Sequence, residues 1–227
     1  MYGFSVKNEN NITTVDTTSP NLFLRDKGVV NATSVGVSLP ARDLDSLVFL
    51  KSSSHCVLID NKVYVNSSSP TPVSYYIFSK ALPTSKPNFG LVVYNETGGI
   101  NFSSDEYPLR IYKDITSTKE STGWFGREFI PVAYSDNLGV GSGSFAWCTF
   151  NLRVYWSSVQ MYTAKGDFVT DSRRRIRTVR VDRGGIIHFD DIMTFFYRDY
   201  GLWGNYNYSP NASSPNTMLL IDTRLYD

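Results

Sequence analysis

Apolar residues fall along this chain in short runs, many alternating with polar ones and rich in Val, Ile, Phe and Tyr. Clusters of Asn, Asp, Gly, Ser and Pro break the runs at intervals of roughly eight to twelve residues, the signature of an all-β protein. The pattern predicts strands at Gly3–Lys7, Asn21–Leu24, Ser34–Leu39, Leu47–Leu50, Cys56–Ile59, Lys62–Val65 and Val73–Phe78. It predicts more at Gly90–Tyr94, Leu109–Tyr112, Phe129–Tyr134, Ala146–Trp156, Ile176–Val181 and Met218–Asp222. Asp60-Asn61 is a hairpin turn between two of them, because Asp and Asn tolerate positive φ. The best helical stretch is Asp190–Tyr200, where Asp190-Asp191 would cap a short helix; a strand through Met193–Tyr197 is the alternative. The expected fold is all-β, sandwich or jelly-roll-like. Two lobes are expected, an N-terminal β domain over 1–115 and a C-terminal one over 116–227.

One segment occurs twice. Gly3-Phe4-Ser5-Val6-Lys7-Asn8-Glu9 returns as Gly90-Leu91-Val92-Val93-Tyr94-Asn95-Glu96, at a constant offset of 87 residues. The offset continues without a gap through Val15 and Phe102, Thr17 and Ser104, Leu22 and Leu109, Leu24 and Ile111. Each copy reads as strand, Asn- or Gly-rich turn, strand, loop, strand. The duplication points to one β-meander unit used twice.

The second copy carries a family resemblance. Phe89-Gly90-Leu91-Val92-Val93-Tyr94-Asn95-Glu96-Thr97-Gly98-Gly99, then Phe102-Ser103-Ser104 and Pro108-Leu109-Arg110-Ile111, resembles a motif of small bacteriophage tail proteins. In that family a Gly-Leu-x-Val-Tyr-Asn strand precedes a Gly turn and a Pro-Leu-Arg segment. The opening Met1-Tyr2-Gly3-Phe4-Ser5-Val6, the strand Val73–Phe78 and the ending Thr217–Asp222 are similar to the same family. The resemblance covers about a third of the chain, and the stretch Ser117–Asn216 lies outside it. It implies a virion component of the tail or tail tip.

Composition narrows the function classes. The 227 residues are 41% hydrophobic, 15% aromatic and 19% charged, which excludes bulk disorder. With 22 basic against 21 acidic side chains the net charge is +1, so no whole-chain grip on nucleic acid is expected. No apolar run approaches the ~18 residues of a membrane span, and no apolar signal core follows Met1. Cys56 and Cys148 sit in apolar strand-like runs and are expected as buried free thiols. With two His in the chain, a zinc site built from Cys and His is not expected, nor is any other metal or cofactor.

Catalytic motifs are sparse. Gly139–Ser144 is Gly-rich but lacks a phosphate-loop lysine and reads as a tight turn before the next strand. His188 lies near Asp190 and Asp191, yet no nucleophile accompanies it in sequence. Asp105-Glu106 and Asp43-x-Asp45 are adjacent acids that read as solvated loop residues rather than a glycosidase pair. No catalytic residues are assigned.

Two stretches are candidates for contact. Arg173, Arg174, Arg175, Arg177, Arg180 and Arg183 crowd one segment and are expected at a subunit interface; an anionic glycan site is the alternative. Trp203, Tyr206 and Tyr208 stand in an aromatic, Asn- and Gly-rich stretch suited to a receptor or partner contact, since aromatic faces stack on sugars. Asn11, Asn31, Asn66, Asn95, Asn101, Asn207 and Asn211 begin Asn-x-Ser/Thr sequons but are taken as turn residues. The expectation is a non-enzymatic bacteriophage tail or tail-tip protein, assembled in the bacterial cytoplasm into the virion. Its partners would be other tail proteins and copies of itself. A carbohydrate-binding adhesin that contacts a host-surface glycan is the alternative, and a glycan-cleaving tail enzyme is the third reading.

Overall fold

The computed structural model describes residues 5–7, 13–16, 22–80, 90–94, 97–104, 106–117, 122–125, 128–131, 134–137, 143–151, 154–162, 168–200, 209–210 and 216–227. The strands are β1 (Ser5–Lys7), β2 (Thr13–Asp16), β3 (Phe23–Ala32), β4 (Val37–Ser38), β5 (Leu47–Lys51), β6 (Cys56–Ile59), β7 (Lys62–Val65), β8 (Thr71–Ser79), β9 (Val92–Tyr94) and β10 (Ile100–Ser103). They continue as β11 (Lys113–Ser117), β12 (Thr122–Phe125), β13 (Glu128–Pro131), β14 (Tyr134–Asn137), β15 (Phe145–Asn151), β16 (Val154–Tyr162), β17 (Phe168–Val181), β18 (Ile186–Tyr200), β19 (Ser209–Pro210) and β20 (Asn216–Asp222). A single 3₁₀ turn, Thr223–Leu225, follows β20, and no α-helix occurs among the described residues. The fold is all-β and sandwich-like.

Two sheets enclose the main core. One has six strands in the order β11-β20-β15-β5-β8-β3. The other has eight, following β14-β18-β17-β6-β7-β4, with β16 and β19 branching from β17. Alternation assigns the faces. Val48 and Leu50 of β5, Val73, Tyr75 and Ile77 of β8, Trp147 of β15 and Leu220 of β20 point inward. They meet Cys56, Val63, Val65, Val179, Ile187 and Phe189 from the eight-stranded sheet. The intervening residues Phe49, Tyr76, Phe78, Ala146, Cys148 and Ile221 form a second cluster on the other face of the six-stranded sheet. Tyr226 and the partly buried Leu22, Leu24 and Leu109 cover that cluster. Burial on both faces explains why these strands read as nearly unbroken apolar runs.

Several expectations change here. Both large sheets take strands from either side of residue 115, so the division expected there separates neither two sheets nor two cores. The run Ala146–Trp156 is two strands: β15 pairs with β20 in the six-stranded sheet, and β16 pairs with β17 in the other. Asp190–Tyr200 is strand and not helix, because its backbone is zipped to β17 over its whole length. Leu109–Tyr112 is not a strand; only Pro108 makes a bridge, to Phe23. The Asp60-Asn61 turn is as expected, with φ of 48° and 61°.

The duplicated segment folds into the same unit twice. β1 pairs with β2 through Ser5↔Asp16, Val6↔Val15 and Lys7↔Thr13. β9 pairs with β10 through Val92↔Ser103, Val93↔Phe102 and Tyr94↔Ile100. The register is identical at the offset of 87, and the irregularity falls at the same place in both hairpins. The segments that follow then meet each other. The Leu109 amide donates to the Leu22 carbonyl at 2.7 Å, and the Leu24 amide to the Tyr107 carbonyl at 2.9 Å. Leu22 and Leu109 are equivalent positions of the two copies, so the copies touch each other at the same residue.

Candidate functional site

The polar side chains converge where β17 turns into β18. Asp182 shapes this turn. Its Oδ1 accepts the amides of Gly184 and Ile186, both at 2.9 Å, and Gly185 supplies the left-handed φ of 73°. Its Oδ2 accepts from Nε2 of His188 at 3.1 Å. The amide of Ile186, then the His188 contact, hold the Asp182 carboxyl below the usual carboxylate range. His188 stands across the ladder from Ser135 of β14 on one side and Arg180 of β17 on the other. Ser135 Oγ lies 3.0 Å from His188 Nδ1.

The second histidine completes the cluster. The His55 and His188 rings meet edge to face with centroids 6.5 Å apart. Burial lowers the pKa of His55; Asp190 opposes that shift, while Arg180 and His188 add to it. Asn66 donates to Asp190 Oδ2 at 3.3 Å.

The Ser135–His188–Asp182 series has the connectivity of a nucleophile, a base and an orienting carboxylate. Ser135 lies within a paired strand, and its contact with His188, together with that of His188 with Asp182, ties β14, β18 and the turn together as a cross-strand brace.

Beside the brace, a cleft of about 480 Å³ opens between the ends of the two sheets. Lys51–Ser53, where the chain crosses from β5 towards β6, forms one side; Gly143–Phe145 and Arg180–Arg183 form others. Lys51 is already engaged, donating to Thr223 Oγ1 at 3.0 Å and Asp227 Oδ2 at 2.9 Å. The Nε of Arg180 is buried and has no hydrogen-bond partner in the protein.

The sequence-derived candidates are scattered by the fold. Arg173, Arg174 and Arg175 lie on β17 opposite β16. Arg177 is 1% exposed, on the same face as Val179 and Val181, and is engaged within this chain. Its expected place at a subunit interface is corrected accordingly: an enclosed guanidinium is out of a partner's reach. Arg180 is half-buried and Arg183 is exposed on the turn. Trp203, Tyr206 and Tyr208 fall outside the described residues. Of the adjacent acids, Glu106 pairs with Arg25 at 3.1 Å and Asp45 lies 3.9 Å from Lys80. Asp105 falls outside the described residues. Cys56 and Cys148 are free and buried, as expected. No group of three or more His, Cys, Asp or Glu side chains is placed to hold a metal among the described residues. No described helix is long and apolar enough to cross a membrane.

Sequence reading missed the role of Asp182 and its brace to His188 and Ser135. A signal for the turn was present in Asp182-Arg183-Gly184-Gly185, but the pairing of Ser135 with His188 depends on a strand 53 residues away. Set against protein-family models, curated proteins and solved structures, the chain matches none.

Proposed function

We propose that this chain is a structural protein of a bacteriophage tail or tail tip that works by protein–protein assembly and catalyses no reaction. The observation that supports this reading is the doubled hairpin. The motif carrying the family resemblance is present twice and takes the same register twice. A two-stranded sheet is marginally stable alone, and its outer edges leave main-chain donors and acceptors for a neighbour to complete. β1–β2 and β9–β10 are both two-stranded sheets among the described residues. Repeated edges of this kind suit addition of strands from adjoining subunits, where many modest contacts add through symmetry. On this reading the partners are other tail proteins and further copies of the chain. The chain is assembled in the bacterial cytoplasm and ends in the virion.

The test is the mass of the purified chain by light scattering, together with its location in fractionated particles of the source virus. An oligomer recovered with the tail fraction is the expected result. A monomer absent from virions would overturn the proposal.

A further inference from the structure

The cleft at the end of the sandwich has a charge pattern that the assembly reading leaves unused. Arg180 and Arg183 both line it, along with Lys51 and the serines Ser52, Ser74 and Ser144. Neither arginine makes an ion pair among the described residues, and the Nε of Arg180 is buried without an acceptor. A buried guanidinium donor left unmatched is costly, and the deficit is removed when an oxyanion takes the place of the missing acceptor. The nearest carboxylate in the wall, Asp182, does not serve. Its oxygens are held by the Gly184 and Ile186 amides and by His188. Lys51 is offset by Asp227.

We propose that this cleft binds a phosphate monoester of a small polyhydroxylated molecule. Arg180 and Arg183 outnumber the single Asp182 carboxylate of the lining, so the cleft favours an anion, and guanidinium forks match the oxygens of a phosphate. The volume of about 480 Å³ falls within the range of small-molecule sites. Ser52 already donates to the Pro72 carbonyl and Ser144 accepts from Thr223, so Ser53 and Ser74 of the lining are the hydroxyls offered to the ligand. Arg180, half-buried with its Nε enclosed, is the anchor, and Arg183, on the exposed turn, closes on the phosphate from outside.

The test is isothermal titration of the full chain at low salt with glucose 6-phosphate, glucose, glucuronate and inorganic phosphate as probes. Glucose 6-phosphate is expected to bind saturably, glucose not at all, and inorganic phosphate and glucuronate at least several-fold more weakly. Arg183→Gln, on an exposed turn, should weaken binding by roughly tenfold or more without lowering the melting temperature, as expected for loss of a charge-assisted hydrogen bond. Arg180→Lys should retain part of the affinity and Arg180→Gln should abolish it. Absence of glucose 6-phosphate binding overturns the proposal. So does equal affinity for glucuronate, which would remove the phosphate assignment. Unchanged affinity in the Arg180→Gln, Arg183→Gln double variant, shown to be folded by its melting transition, overturns it as well.

Discussion

Tyr226 offers a quantitative test of how the second copy of the repeat is fastened to the sandwich. Its ring packs on the outer cluster of the six-stranded sheet, with centroids 5.1 Å from Phe78 and 6.3 Å from Tyr76, and the residue is 4% exposed. Its hydroxyl accepts from the Arg110 amide at 2.9 Å and donates to the Pro108 carbonyl at 3.0 Å. Burial raises its pKa above 10, so the hydroxyl keeps the proton that it donates. Tyr226→Phe removes both hydrogen bonds and leaves the ring. At about 1 kcal/mol net for each bond, the cost is about 1–2 kcal/mol, at the lower end because Arg110 is exposed and its amide can turn to water. Tyr226→Ala also removes the ring from a packed site. A truncation of that size costs about 3–5 kcal/mol, for a total of about 4–6 kcal/mol. Equilibrium urea unfolding followed by tryptophan fluorescence measures both, provided that the m-value is unchanged. Hydrogen exchange adds a local readout: the Arg110 amide should lose protection in Tyr226→Phe while the amides of β5 and β8 keep theirs. A Tyr226→Phe variant within about 0.3 kcal/mol of the parent, with Arg110 protection unchanged, would refute the fastening role; so would a Tyr226→Ala cost below about 2 kcal/mol.

Other predictions are shorter. The thiols should be inert in the folded chain, because burial raises both, Cys148 up to about 11 and Cys56 further still. An aromatic disulfide reagent at pH 8 should titrate neither Cys until denaturant is added, and reaction of one thiol in the native state would contradict the packing. At the β6–β7 turn, Asn61 has φ of 61°, and its side chain donates to the Leu39 carbonyl at 3.2 Å and accepts from Arg42 Nε at 3.0 Å. Asn61→Ala should cost about 2–3 kcal/mol in urea unfolding, and Asn61→Gly should recover about 1 kcal/mol of it by relieving the backbone; equal costs for the two variants would show that φ is not the issue. Asp182 has a folded pKa below 3.8, so its stabilisation is full above that value and is lost as pH falls through the lower folded value. Asp182→Asn should flatten the acid limb of the melting temperature, and an unaltered limb would count against the brace. His55 is held below 6.5 by burial, so its ring resonances should titrate with a midpoint under 6.5 in the folded chain, and a midpoint at or above that value would contradict its placement.

Much of this protein is legible from the order of its residues. The all-β class follows from short apolar runs cut by turn formers. The β6–β7 hairpin follows from Asp60-Asn61, whose side chains tolerate the left-handed backbone that the turn requires. The duplication was visible as an offset of 87, and the hairpins keep it because register is a local matter of strand length and turn. Buried thiols followed from apolar flanks. Polar strands were harder to see: β3 carries Arg25, Asp26 and Lys27, because an edge strand with one partner tolerates charge.

What the order of residues could not decide is which strands lie side by side. A period-two pattern marks a buried face but says nothing of its neighbour. Ala146–Trp156 therefore looks like one strand although its halves belong to different sheets. Asp190–Tyr200 has a helix-like start, yet the long ladder with β17 outweighs that local preference. The boundary at 115 fails for the same reason, since β5 meets β15 and β6 meets β17 across it. The meeting of Leu22 with Leu109, the brace of Ser135, His188 and Asp182, the enclosure of Arg177 and the cleft beside Arg180 all arise from non-local pairing. Such contacts depend on the free energy of the whole packed core, which no single segment encodes.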